Sequence, residues 1–152
     1  MIFTRVASLF LRFGQFVSGA VVLGLMAYFL HQYDKYGAGP EGREIYTIII
    51  AALSVLTSLI WLIPSTSSMM HYPFDLLMSA AWFAAFGVLV NWIHKINCGN
   101  TFHWGGLHRG SYCGRWKASE AFSFISACFW FASFLLVRLT AFHTQTLVSN
   151  YS

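Results

Sequence analysis

The residues best suited to chemistry lie in one polar stretch, which runs from Cys98 to Cys113 and contains His103 and His108. Cysteine and histidine are common zinc ligands, and together they can also form a nucleophile and its base. Structural zinc sites gather their ligands in close pairs, with about two to four residues between cysteines. Here the cysteines lie far apart, on either side of the histidines. No third group that would orient a nucleophile can be recognised, so we expect neither a metal site nor a catalytic site.

A disulfide-closed lid is the interpretation that the same stretch favours. It connects two apolar segments, so Cys98 and Cys113 would lie at similar membrane depths, and a bridge between them would require little distortion. Closing a loop of this length stabilises a fold by about 3 kcal/mol in the chain-entropy model. Cys128 is left over in the middle of an apolar segment, where we expect a small packing residue.

The composition is that of a membrane protein. Of the 152 residues 57% are hydrophobic and only 9% are charged, whereas an ordinary soluble domain has roughly 25% charged residues. Four apolar segments, at about 10–31, 45–63, 74–94 and 118–138, are each long enough to cross a bilayer core of about 30 Å as a helix. The sequence therefore predicts one all-α domain over residues 1–152, an integral membrane four-helix bundle with up-down-up-down topology.

Small residues at helical spacing predict how the spans pack. Apolar burial between helices gains little in lipid, so close approach and weak hydrogen bonds hold such bundles together. A serine stripe lies on one face of the fourth span, and pairs of small residues four apart lie on the first and third. The predicted packing residues are Ala20, Gly24, Ala80, Ala84, Ser119, Ser123, Ser126 and Ser133.

Two carboxylates, Asp75 and Glu120, fall within the predicted spans. Each is placed in the first turn of its helix, where the positive end of the helix dipole stabilises an acid. Asp75 is also expected to pair with Arg138 or with Arg12, because the antiparallel layout brings all three to one end of the bundle. Neither acid is expected at the midplane, where a proton relay or transporter would place one.

The orientation in the membrane is predicted from two conflicting signals. By the positive-inside rule, the cationic residues place the termini outside. A Cys98–Cys113 disulfide persists only in an oxidising compartment, which makes its loop lumenal or extracellular and both termini cytosolic. We give more weight to the cysteines and expect both termini to be cytosolic. The cations are Arg5, Arg12 and Arg138 on the terminal side, and Lys35, Arg43, Lys95, Arg109, Arg115 and Lys117 on the other.

Three motifs carry a resemblance to a known family: Pro73-Phe-Asp-Leu-Leu77, Trp82-Phe-Ala-Ala-Phe-Gly87, and Cys113-Gly-Arg-Trp-Lys-Ala-Ser-Glu-Ala-Phe122. With four spans and a cysteine pair confined to the second outer loop, the chain resembles the MARVEL domain. It is especially similar to the fungal proteins typified by the non-classical export protein. The resemblance implies a role in membrane apposition, vesicle traffic or the organisation of plasma-membrane domains, without enzymatic activity.

The sequence thus predicts a non-catalytic membrane organiser of the plasma membrane or the secretory pathway, with no cofactor. Its expected partners are membrane lipids, copies of itself or a larger membrane protein complex. Nucleic acid is not among them, because the cations form no basic stripe. Two alternatives remain open: a small accessory subunit of a membrane enzyme or transporter, and a channel or transporter in its own right.

Overall fold

Four long helices account for nearly all of the chain that the computed structural model describes, which is residues 2–37, 41–62, 71–98 and 112–151. They are α1 (Ile2–Tyr36), α2 (Glu41–Leu62), α3 (His71–Lys95) and α4 (Tyr112–Asn150). No strand occurs in these ranges, and all four helices are long and apolar enough to cross a membrane. The predicted all-α four-span bundle is confirmed.

The ends of two helices are set by residues in the left-handed backbone region. Gly37 has φ of 65° after α1, and its N–H donates to the Tyr33 carbonyl at 2.7 Å. Asn97 has φ of 52° after α3, and the N–H of Cys98 reaches back to the Ile93 carbonyl at 3.4 Å. Glycine and asparagine are the residues that accept this conformation at a helix C-terminus. The turn at Asn97 brings Cys98 toward the start of α4.

The helices form a ring in which α1 packs on α2 and α4, and α3 packs on α4 and, less closely, on α2. We call the end that carries Cys98 and Cys113 the disulfide end and the opposite one, where α2 ends and α3 begins, the ion-pair end. At 35 and 39 residues, α1 and α4 are far longer than α2 and α3, which have 22 and 25.

All four helices begin earlier than the predicted spans, and in α3 and α4 the placement of an acid changes as a result. Because α4 begins at Tyr112, Glu120 lies in its third turn, and because α3 begins at His71, Asp75 lies in its second. The prediction that both acids occupy a first turn is wrong. Both lie deeper in the bundle, so the positive end of their own helix stabilises them less.

The bundle interior is rich in polar groups, whereas much of its outer surface is apolar. Each helix buries hydroxyl, amide or charged side chains along one face, while leucine, isoleucine and phenylalanine side chains face outward. Lipid solvates apolar side chains but leaves polar ones without partners, so this arrangement suits a membrane. The buried polar residues are Arg12, Gln15, Ser18, Glu44, Thr47, Ser54, Ser58, Asp75, Ser79, Ser119, Glu120, Ser123, Ser126 and Ser133.

Aromatic side chains fill the interior at the disulfide end. The rings of Phe29 and Trp116 stack with centroids 4.3 Å apart, and Trp92 lies 6.3 Å from Trp116. Tyr112 packs edge-on against Phe29 at 5.9 Å. These contacts join α1, α3 and α4 directly beside the disulfide.

Cys98 and Cys113 are joined by a disulfide with their Cα atoms 5.6 Å apart, which confirms the predicted bridge. It connects the turn after α3 to the first turn of α4. The two histidines that prompted the metal hypothesis, His103 and His108, lie outside the described residues.

Replacing Cys98 by serine is expected to lower the free energy of unfolding by about 3 kcal/mol, because the bridge closes a loop with a sequence separation of 15 residues. Unfolding of purified protein in detergent, followed by the circular dichroism of its helices, measures the change. Cys128→Ser is the matched control, since Cys128 is a free thiol on the outer surface. Equal stability of the two variants would contradict this expectation.

Candidate functional site

The sequence places Arg12 and Asp75 on the interior faces of their helices. Arg12 is seven residues, about two turns, before the buried Gly19, and Asp75 is seven residues before the buried Trp82. The two side chains meet in the interior across the bundle. Arg12 Nη1 donates to Asp75 Oδ1 at 3.2 Å and Nη2 donates to Oδ2 at 3.1 Å. The ion pair is bidentate, with Arg12 only 7% exposed and Asp75 fully buried.

Polar neighbours give the pair further hydrogen bonds. Arg12 Nη1 also donates to Gln15 Oε1 at 2.9 Å, and Gln15 in turn donates to the Phe129 carbonyl at 3.3 Å. The Ser133 hydroxyl donates to Asp75 Oδ2 at 3.0 Å. A buried charge is tolerated only when it is paired and hydrogen-bonded, and these contacts meet both conditions.

Two indole rings enclose the guanidinium. The Arg12 Cζ atom lies 4.5 Å from the ring centroid of Trp61 and 5.5 Å from that of Trp130. Phe74 packs edge-on against Trp61 with centroids 5.0 Å apart. Cation–π attraction is strongest where water is excluded, so the rings both stabilise the charge and shield it.

Three further hydrogen bonds extend this interior layer toward the disulfide end. Trp130 Nε1 donates to Ser54 Oγ at 3.0 Å, joining α4 to α2. Ser126 donates to Ser18 at 2.7 Å, joining α4 to α1, and Ser79 donates to the Ala127 carbonyl at 3.3 Å, joining α3 to α4. We call these bonds and the Arg12–Asp75 pair with its partners the polar network. It connects all four helices.

Residues 5–136 match the MARVEL family, which is described as a membrane-associating domain. The chain belongs to the MARVEL family. It is also 31% identical, over 122 residues, to an uncharacterized membrane protein of Saccharomyces cerevisiae. That similarity covers 76% of this chain and 38% of the yeast protein, so the chain spans well under half the length of its relative. The family and the four apolar helices make this an integral membrane protein.

In this MARVEL bundle Asp75 pairs with Arg12. Arg138 is the other partner that the sequence allowed. Arg138 is exposed, and its guanidinium donates to the Tyr72 hydroxyl. Arg138 follows the buried Ser133 by five residues, which at 100° per residue turns it roughly 140° away from the interior face. It therefore lies at the edge of the ion-pair end rather than inside it.

The predicted packing residues divide into two groups. Ser119, Ser123, Ser126 and Ser133 are buried, as the serine stripe predicted. For the alanine and glycine residues the prediction is wrong, because in the MARVEL bundle they face outward rather than toward a neighbouring helix. These positions are Ala20, Gly24, Ala80 and Ala84.

Two further residues differ from expectation. Cys128 lies on the outer surface rather than in the packing of the bundle. Glu44 lies one residue before the predicted second span. It is 2% exposed and faces the interior of the bundle from α2. The described residues contain no group of three or more His, Cys, Asp or Glu that could hold a metal ion.

Sequence reasoning missed Gln15, Trp61 and Trp130 as partners of the ion pair. The signal for Gln15 was its spacing, because Arg12, Gln15, Ser18 and Gly19 recur every three or four residues along one face. Chemically, the polar network consists of one charge pair together with hydroxyl, amide and indole groups. Its arrangement fastens helices together.

Substitution of both ion-pair partners is expected to cost less stability than the two single substitutions added together. Arg12→Leu leaves a buried carboxylate unpaired and Asp75→Leu leaves a buried guanidinium unpaired, so each is expected to lose about 3–5 kcal/mol. Arg12→Leu combined with Asp75→Leu leaves neither charge. A double-mutant cycle on the free energy of unfolding in detergent measures the coupling.

Arg138→Leu is the control for this cycle, because Arg138 is exposed at the same end of the bundle. It is expected to change stability by less than about 1 kcal/mol. Losses that simply add for Arg12 and Asp75 would show that the pair does not hold the bundle together.

Proposed function

We propose that this MARVEL protein is a non-catalytic organiser of plasma-membrane domains that acts through lateral contacts of its spans. The observation that carries the proposal is that polar side chains lie inside the bundle whereas its outer surface is apolar. The polar network lies in the interior of the bundle, where its members bond to one another. The surface that meets lipid or a neighbouring protein is apolar and includes the two pairs of small residues.

The small residues of α1 and α3 supply the contact surface in this proposal. Ala20 and Gly24 face outward on α1, and Ala80 and Ala84 do so on α3. A Cβ atom added at Gly24 would meet nothing within 4 Å, so the backbone there is open to a neighbour. Small residues four apart let two membrane helices approach closely, which is how spans associate in lipid. The partners are then copies of this chain or other membrane proteins, together with the surrounding lipid.

Both termini are cytosolic in this proposal, and the segment between Cys98 and Cys113 is lumenal or extracellular. The disulfide supports this orientation, because such a bridge persists in an oxidising compartment. The Lys and Arg count favours the reverse, but the positive-inside rule is a bias that individual proteins override.

Lateral clustering is expected when the purified protein is reconstituted in liposomes, and energy transfer between labelled copies measures it. Ala80→Leu or Ala84→Leu is expected to weaken the clustering, because the larger side chain keeps helices apart. Ile49→Phe on the exposed face of α2 adds similar bulk at an already large residue and is expected to leave clustering unchanged. Solute and ion flux are measured in the same vesicles. Saturable flux without clustering would instead identify a transporter.

Glycosylation tags test the orientation. A tag inserted after Gly37, between α1 and α2, is expected to be modified in a eukaryotic secretory pathway, and a tag at the C-terminus is expected to remain unmodified. The chain carries its own control, because Asn150-Tyr151-Ser152 is a glycosylation sequon and should also remain unmodified. Modification of the C-terminal tag alone would show that the protein has the opposite orientation.

A further inference from the structure

A second set of buried polar groups lies at the disulfide end, separate from the polar network. Glu44 is 2% exposed and Glu120 is 3% exposed, and the Oε2 atom of each is buried without a hydrogen-bond partner. Three buried donors nearby also have none: Arg43 Nη1, Trp92 Nε1 and Trp116 Nε1. A buried polar atom without a partner costs about 1–3 kcal/mol, and more when it is charged.

Helix register places the two carboxylates at similar depth. Helices α2 and α4 both begin at the disulfide end, and they are joined by the bond from Trp130 to Ser54. Glu44 precedes Ser54 by ten residues and Glu120 precedes Trp130 by ten residues. Each acid therefore lies about 15 Å nearer to the disulfide end than that bond. Both face the interior from opposite sides of the ring.

The three donors belong to the same layer. The Arg43 Cζ atom lies 5.7 Å from the centroid of the Trp92 ring, and the Trp92 and Trp116 rings are 6.3 Å apart. Trp116 is one helical turn before Glu120 on α4, and Arg43 is adjacent to Glu44 on α2.

Trp82 Nε1 is a further unpartnered buried donor, but it lies ten residues, about 15 Å, before Trp92 on α3 and is not part of this layer.

We propose that the disulfide end of the bundle is a binding site for ordered water, in which water molecules bridge Glu44 and Glu120 to the indole N–H groups of Trp92 and Trp116. Donors and acceptors are both present, and a water molecule can accept from an indole N–H while donating to a carboxylate. Buried waters typically make about three hydrogen bonds to groups that would otherwise have none. The two carboxylates would repel an anion, and the described residues contain no group of three or more His, Cys, Asp or Glu that could hold a metal ion. Water both donates and accepts, so it can bond to the carboxylates and to the indole N–H groups together.

X-ray radiolytic footprinting of the intact protein tests the proposal, because radiation converts bound water into hydroxyl radicals that oxidise adjacent side chains. Trp116 and Trp130 form a matched pair. Both are fully buried, but the Trp130 N–H is bonded to Ser54 whereas the Trp116 N–H has no protein partner. Mass spectrometry is expected to find Trp116 oxidised several-fold faster than Trp130. Equal rates would show a dry interior and overturn the proposal.

Isotope labelling separates internal water from radicals that enter from bulk solution. After brief mixing with ¹⁸O-labelled water in solution freed of dissolved O2, oxygen from bulk water carries the label, whereas oxygen from slowly exchanging internal water does not. Unlabelled oxygen on Trp116 is the expected result. Label at the bulk level would indicate access of solvent without bound water, and would contradict the proposal.

A pair of variants tests the part played by the carboxylate. Glu120→Gln retains an acceptor for water, and its Trp116 oxidation is expected to match that of the native protein. Glu120→Leu removes the acceptor and is expected to bring Trp116 oxidation down toward the Trp130 rate. Glu41→Gln, at an exposed acid on α2, is the control. Unchanged oxidation in folded Glu120→Leu would show that Glu120 holds no water, and if this variant does not fold, the native Trp116 to Trp130 comparison still decides.

Discussion

The bidentate pair of Arg12 and Asp75 is the interaction on which the arrangement of the bundle depends. An unpaired charge within a membrane span is costly, so Arg12 and Asp75 must face each other in any folded arrangement. That requirement fixes the rotation of α1 and α3, since neither helix can turn without exposing its charge to lipid. Ser133 and Gln15 then fix α4 against them, and the ring of Trp61 positions the end of α2. One charge pair thus orients all four helices.

The fold could be predicted from the sequence because four apolar segments of sufficient length leave few alternatives in a bilayer. The disulfide could be predicted because its two cysteines lie just outside two consecutive spans. To predict which arginine pairs with Asp75, one must know how each helix is rotated about its axis as well as how deep each residue lies. Arg12 and Arg138 lie at the same end of the bundle, and their angular positions relative to Gly19 and Ser133 distinguish them. That information is present in the sequence as periodicity, but it can be used only once the interior face is known.

The small residues show why the interior face was hard to recognise. A pair of alanines four apart, such as Ala80 and Ala84, has the spacing of a helix contact, yet the interior side of α3 is occupied by Trp82 and Asp75. In a membrane bundle the polar and aromatic residues mark the inside, because lipid solvates alanine and leucine equally well. Glu44 was missed for a related reason, since the hydropathy of its neighbours placed the span boundary just after it. Buried acids near span ends resemble interfacial ones until the helix start is known.

The unequal lengths of the helices have a consequence for the surrounding lipid. α2 and α3, with 22 and 25 residues, are about 33–38 Å long, whereas α1 and α4, with 35 and 39, are about 52–58 Å long. The long pair continues past the ion-pair end with apolar side chains such as Phe3, Val6 and Phe142 exposed. Exposed charged and polar side chains such as Arg5, His143 and Gln145 lie among them, so these extensions are of mixed polarity and do not form a continuous apolar wall. Because α1 and α4 are neighbours and a hydrocarbon core of about 30 Å holds only about 20 residues of a helix, the two extensions together reach past the core at the ion-pair end, where they meet lipid headgroups rather than acyl chains.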